Sequence, residues 1–396
     1  METALILLLT LATGALLAWP RLARAPLWRA ALTPLASIIG SGFLVLGPIL
    51  NTSYGGWAPA VMAALCLVAY GFGAAIRHNI ARRACPGPRS RTEALLEGLA
   101  SWVLAFAYFI SVAYYLNLFG AFGTRLTPWN DALHARLLTS AALLLILVIG
   151  WSKGFSALER LEQVTVGVKL AIIAGLLGGL AWYFADTAAD GGLQATAPAQ
   201  TGRAGLALAF GLIVTVQGFE TSRYLGDEYA PATRIRSMKL AQWISTAIYM
   251  VYVLLLAYAF PPGDGALSET AIIGMMALVA PILPLMLTAA ALAAQFSAAV
   301  ADTGGAGGLV EELTGQRVPL RLSYALLVGF GLVLTWGLDV FEIISHASRA
   351  FAAYYAIQSA IAALGAWRER RLLLSAGFAA MAALGLAITV FGTPVE

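Results

Sequence analysis

The residues of this chain best suited to chemistry lie inside apolar runs, where charge is costly. Lys169 stands in VGVKLAII, roughly a third of the way into a long apolar segment. An ammonium at that depth costs about 2.5–3.5 kcal/mol on insertion scales, so it should meet carbonyls or a carboxylate; snorkelling past about 15 Å of helix towards Arg160 is the alternative. Ser297, Asp302 and Thr303 precede a glycine-rich stretch in LTAAALAAQFSAAVADTGGAGGLVEEL. Three roles are open to Asp302: binding a cation, pairing with Lys169, or capping its helix. Further on, Asp339, Glu342, His346 and Arg349 fall at i, i+3, i+7 and i+10, which is one helical face. Such a stripe is expected to face the bundle interior or a watery path. It reads either as an outer gate whose charges separate on opening, with His346 adding pH sensitivity, or as a structural Glu342–Arg349 ion pair.

Covalent and metal chemistry finds no support. The chain has no HExxH, GxSxG or P-loop pattern, and His78, His134 and His346 are scattered over separate segments. Cys66 and Cys85 have neither metal spacing nor a disulfide framework. Neither an enzyme nor a cofactor is expected.

The elements that must position these residues follow from composition. Of 396 residues 60% are hydrophobic and 11% charged, with a mean hydropathy of +0.81, against roughly 25% charged in soluble domains. An all-α membrane protein of about twelve helices is predicted, with spans near 3-19, 31-50, 57-76, 98-122, 137-151, 160-184, 205-229, 239-260, 272-300, 321-337, 340-366 and 372-391. The net charge of +4 does not point to nucleic acid, because the arginines sit in short loops between spans. Walking the spans in order puts nineteen of the 24 Lys and Arg on one side, which the positive-inside rule makes cytoplasmic. Both termini then face outward. The loop between 184 and 205, rich in Ala, Gly and Thr, is expected to be flexible.

Two of the spans are interrupted. LASIIGSGFLVLGPI breaks at Gly40, Ser41 and Gly42, and GLALAFGLIVTVQGFETSRYLGDEY breaks near Gln217, Gly218 and Phe219. Unwound backbone at bilayer depth survives only where it lines a cavity or is covered by protein, and paired broken spans point to a transporter's site. One half-helix end offers bare N–H groups and the other bare carbonyls, so a small zwitterion fits between them. Tyr108, Ser111 and Tyr115 share one face of the 98-122 helix, with Tyr114 beside them. They either line that site or pack between helices with satisfied hydroxyls.

IIGSGF together with QGFETSRYLGDEYAPATRIRSMKLA resembles the amino acid-polyamine-organocation (APC) transporters. The likeness runs from about Leu35 to Trp367. It implies the LeuT-type fold, five helices followed by five in inverted topology. An extra helix and turn would occupy 1-30, the repeats 31-184 and 205-366, the outer loop 185-204, and an added helix 367-396. It also implies a substrate carboxylate on amides near Ser41 and Gly42, beside Gly40, and an amino group on carbonyls near Ile38 and Val216 to Gly218. Phe219 would close over the substrate, Lys169 would stand where sodium-coupled relatives hold an ion, and Glu220 would serve a pH response. The expectation is a permease of the inner membrane for an amino acid or similar small amine, proton-coupled or sodium-independent. A sodium-coupled carrier of a nucleobase or organic cation, using Ser297, Asp302 or Thr303, or a non-transporting sensor, is the alternative.

Overall fold

Because a chain in lipid must satisfy its own N–H and C=O groups, apolar runs of this length become helices. The computed structural model describes residues 2–40, 42–84, 90–152, 156–225, 229–261 and 267–395, the side chains of 156–164 excepted. Ser41 and Cys85 lie outside the described residues. In chain order the helices are α1 (Glu2–Ala18), α2 (Pro20–Ala23), α3 (Pro26–Gly40), α4 (Phe43–Tyr54), α5 (Ala58–Ala84), α6 (Arg91–Arg125), α7 (Ala132–Ser152) and α8 (Ser156–Ala189). There follow α9 (Gly202–Gly211), α10 (Pro231–Ala259), α11 (Ala271–Val279), α12 (Leu283–Leu313), α13 (Leu320–Gly337), α14 (Val340–Arg368) and α15 (Leu372–Phe391). Among the described residues there is no strand, and nine helices are long and apolar enough to cross a membrane, with Phe43–Ala84 counted as one run. The tight turn at Gly55, where φ is +49°, divides that run into α4 and α5.

Local chemistry fixes several helix starts. Ser90 and Glu93 form a capping box at the head of α6, and Asp339 and Glu342 form another at the head of α14. The added N-terminal helix packs along α8, where side chains at Gly175 or Gly178 would collide with Thr10 or Leu9. Small residues there let the two backbones approach, which is how helices associate where the surrounding lipid gives no hydrophobic drive.

Three expectations need correction. The span placed at 272-300 is two helices, since Ala280 is extended (φ −161°, ψ 139°) and separates α11 from α12. The glycine-rich stretch after Thr303 is helical through Leu313, so Asp302 lies well inside α12 and caps nothing. The loop expected to be flexible is pinned: Gly56 N–H donates to the Thr196 carbonyl (2.9 Å), Gln194 N–H to Tyr258 (3.0 Å) and Gln200 N–H to Ser53 (2.8 Å). These backbone bonds strap residues 193–200 across the ends of α4 and α10.

Candidate functional site: two broken helices

Both interruptions are present, and they meet. α3 ends at Gly40, Gly42 is extended (φ 169°), and α4 begins at Phe43. The second break is longer than its sequence suggests. α9 stops at Gly211, a 3-10 turn runs over Ile213–Val216, Gln217 is extended, Gly218 has φ +116°, and a second 3-10 turn covers Phe219–Arg223. A Cβ on Gly42 would lie 2.7 Å from Thr215 Cγ2 and 2.8 Å from the Tyr114 hydroxyl. Only glycine allows the two breaks to touch in this way.

The freed backbone groups of the second break are satisfied by side chains from other helices. Ser348 of α14 donates to the Gly211 carbonyl (2.6 Å) and accepts from Val214 N–H (3.0 Å). The Tyr249 hydroxyl of α10 lies 2.5 Å from the Thr215 carbonyl and 2.9 Å from the Ile38 carbonyl and shares its one proton between them, so one hydroxyl bridges the two breaks. The Ile38 carbonyl, expected for a substrate amine, is therefore already engaged. Glu220 is buried; its Oε2 accepts from Gly218 N–H (3.0 Å) and from the Tyr355 hydroxyl (2.7 Å), while its Oε1 has no hydrogen-bond partner. The same hydroxyl lies 3.1 Å from the Gln217 amide, so the two polar side chains flanking Gly218 and Phe219 gather at one phenol. Phe219 stacks on Tyr355 (5.1 Å, 21°), which stacks in turn on Phe72 (5.0 Å, 23°). Its ring is fully buried within this stack.

On α6 the residues expected at the site take different partners. Ser111 donates to Asp302, Tyr108 meets Phe351 edge-on (5.9 Å), and Tyr115 packs on Tyr114 with Ser37 beside its hydroxyl. It is the Tyr114 hydroxyl that reaches the first break, and it is buried there without a hydrogen-bond partner. Tyrosine pairs in adjacent positions point about 100° apart on a helix, so sequence spacing could have favoured either.

Lys169 is 6% exposed, and its ammonium donates to the Ala36 carbonyl (2.8 Å) in the last turns of α3. Snorkelling is thus excluded. A cavity of about 30 Å³ beside it is lined by Thr33, Ser37, Ser297 and Asp302, among others. At about 10–15 Å³ per water that space takes about two or three waters and no organic substrate. Thr303 does not line it; its hydroxyl turns back to the Ala299 carbonyl (2.6 Å) because a helical threonine reaches its own preceding turn.

The stripe on α14 faces the other way from the expectation. Asp339 and Glu342 are occupied in the helix cap, His346 is exposed, and Arg349 Nε donates to the Thr389 carbonyl of α15 (2.7 Å). Among the described residues Arg349 pairs with no carboxylate. Among the described residues no Glu342–Arg349 pair forms, and His346 and Arg349 line a groove between α6, α13 and α15 rather than the space between the breaks.

Charge does close the bundle, at its arginine-rich end. Arg223, just after the second break, is buried and bonds both Glu97 of α6 and Gln358 of α14. Gln358 also accepts from Asn79 of α5 (2.9 Å), and Glu93 binds Arg82 and Arg368 (both 3.2 Å). Sequence reading missed this cluster, although a GFE motif followed by an arginine was a signal that a counter-charge must be nearby.

A helical bundle with two apposed broken helices, stapled at their open ends and locked by ions on one face, is a LeuT-type transporter core. The structure of Mhp1, described as a nucleobase-cation-symport-1 family transporter in a closed conformation with bromovinylhydantoin bound, superposes with a TM-score of 0.58 over 91% of each chain at 11% identity. A family model described as APC superfamily transporter matches residues 20–392, and the chain belongs to that family. An "Uncharacterized protein" of Aquifex aeolicus (strain VF5) is 41% identical over 387 residues, covering 95% of this chain and 93% of that one.

The contact between the breaks has a direct test. Gly42→Leu drives a side chain into Thr215 and Tyr114, and overpacking of this kind costs about 1–3 kcal/mol. Substrate affinity in a binding assay on the purified protein should fall at least tenfold. Normal affinity would count against a site at the breaks.

Proposed function

We propose that this APC superfamily transporter carries an amino acid or a similarly small zwitterion or amine by alternating access, driven by protons or by the substrate gradient and not by sodium. One observation carries this reading: the Lys169 ammonium on the Ala36 carbonyl, beside a cavity walled by Ser297 and Asp302. A half-helix C-terminus is a negative dipole end that attracts a cation, and here the chain supplies its own. Substrate would sit where Gly42, Tyr114 and Thr215 now touch, its carboxylate on amides of the first break and its amine on carbonyls of Val216 to Gly218. It enters when the breaks part, with Tyr249 releasing one of its two carbonyls. The buried Glu220, with one oxygen free, is the carboxylate best placed to exchange a proton as Gly218 moves. The arginine-rich face is assigned to the cytoplasm of a bacterial-type inner membrane, with both termini outside.

Lys169→Ala should abolish uptake driven by a pH gradient into vesicles while ligand-induced thermal stabilisation survives. Unchanged gradient dependence removes Lys169 from coupling. The second reading, a sodium-coupled carrier of a nucleobase or organic cation, draws on the likeness to Mhp1, which at 11% identity brings the fold alone. Stabilisation of the wild-type protein by sodium, in a screen of amino acids, amines and nucleobases, would select it. A sensor that binds without moving its ligand would show that stabilisation and no flux.

A further inference from the structure

The outward stripe on α14 forms part of a second site. Between α6, α13, α14 and α15 lies a groove of about 640 Å³, open on its lateral side and distinct from the breaks. Its bed is apolar: Phe106 and Ile110 of α6 and Phe330 and Leu334 of α13, with the exposed ring of Trp102 at one end. Two basic side chains stand over this bed, His346 and Arg349, three residues apart and so on one face of α14.

Arg349 lies level with Thr389 in the last turn of α15, close to the end of that spanning helix, where a lipid headgroup is within reach. Its Nε donates to the Thr389 carbonyl (2.7 Å), while the Thr389 hydroxyl turns back to the Gly385 carbonyl (2.8 Å), so the guanidinium is oriented by the last turn of α15. Among the described residues its other nitrogens meet no carboxylate. The groove therefore combines a held cationic fork, a histidine one turn nearer the helix end, and an apolar bed open to the bilayer. We propose that it binds one phospholipid, its headgroup phosphate on Arg349 and His346 and an acyl chain along Phe106, Ile110 and Phe330. Arginine suits the phosphate because its parallel N–H groups match two phosphate oxygens, and basic pockets between spanning helices hold lipid headgroups in this manner. Ala350 and Ala353 leave the space that the chain fills.

The test uses the full-length protein in detergent, titrated with phosphatidylglycerol and followed by native mass spectrometry and thermal unfolding. The wild type should retain one lipid per chain and gain stability. Arg349→Gln should weaken retention at least tenfold, and Ala353→Phe, which fills the bed without touching the charge, should do the same. If Arg349→Gln fails to fold, the Ala353 variant and the wild-type stoichiometry decide. Retention equal to wild type in the Ala353 variant overturns the site, as does equal stabilisation by inorganic phosphate. An oligomer that falls apart on Ala353→Phe while lipid retention is unchanged also overturns it, in favour of a second copy in the groove.

Discussion

Glu97→Ala is expected to unlock the arginine-rich face. It leaves the Arg223 guanidinium buried with Gln358 as its remaining side-chain partner, and breaking a buried pair from one side costs about 3–5 kcal/mol because the surviving charge stays uncompensated. In the alternating-access cycle proposed above, that energy is lost in the state in which α6, α14 and the second break converge on Arg223. An open state lets the guanidinium reach water. The equilibrium should therefore move towards opening on that face by more than a hundredfold. Cys66 is a built-in reporter, since it is buried in a small cavity with Ile38, Val216 and Tyr249. In a Cys85→Ser background its rate of thiol labelling should rise at least tenfold in Glu97→Ala and return most of the way in Glu97→Gln, which restores a hydrogen-bond acceptor. Labelling at the wild-type rate would mean that the cluster stiffens the fold without gating it.

Gly218→Ala should be nearly as damaging, for a local reason. With φ at +116° the residue occupies backbone space that costs an L side chain about 1–2 kcal/mol, and the new Cβ would strike the Ser37 hydroxyl and sit 2.8 Å from the Ile38 nitrogen. The variant must either push α3 away or rotate the 217–218 peptide. Rotation would pull Gly218 N–H off Glu220 and disturb Tyr355 with it. Reconstituted transport should fall by at least a hundredfold, with a lower melting temperature. Adding Ser37→Gly removes one collision and leaves the strained φ, so it should recover part of the stability; no recovery would show that contact between the breaks is not what Gly218 protects.

The sequence was most informative where backbone chemistry is local. Gly40 to Gly42 had to interrupt a helix because nothing in an apolar run replaces the hydrogen bonds that glycines loosen, and the interruption is there. Gln217 and Gly218 marked the second break for the same reason. Its extension back to Gly211 was illegible, because Leu212 to Val216 are as apolar as any helix interior; the turn is held open by Ser348, some 134 residues away in the chain. Lys169 was legible as a buried cation needing carbonyls, though not that Ala36 supplies one.

What the chain alone determined is the set of things that depend on lipid and on near neighbours: an all-helical bundle, its crossings, its two openings, and the face that Asp339, Glu342, His346 and Arg349 share. Tertiary structure decided which way that face looks and which distant groups meet. Periodicity fixes the angles of side chains around their own helix axis, yet the rotation of the helix against its neighbours follows from packing over the whole bundle. So the α14 stripe turned out to the bilayer side, Tyr114 and not Tyr115 reached the first break, and Arg223 found Glu97 across 126 residues of chain.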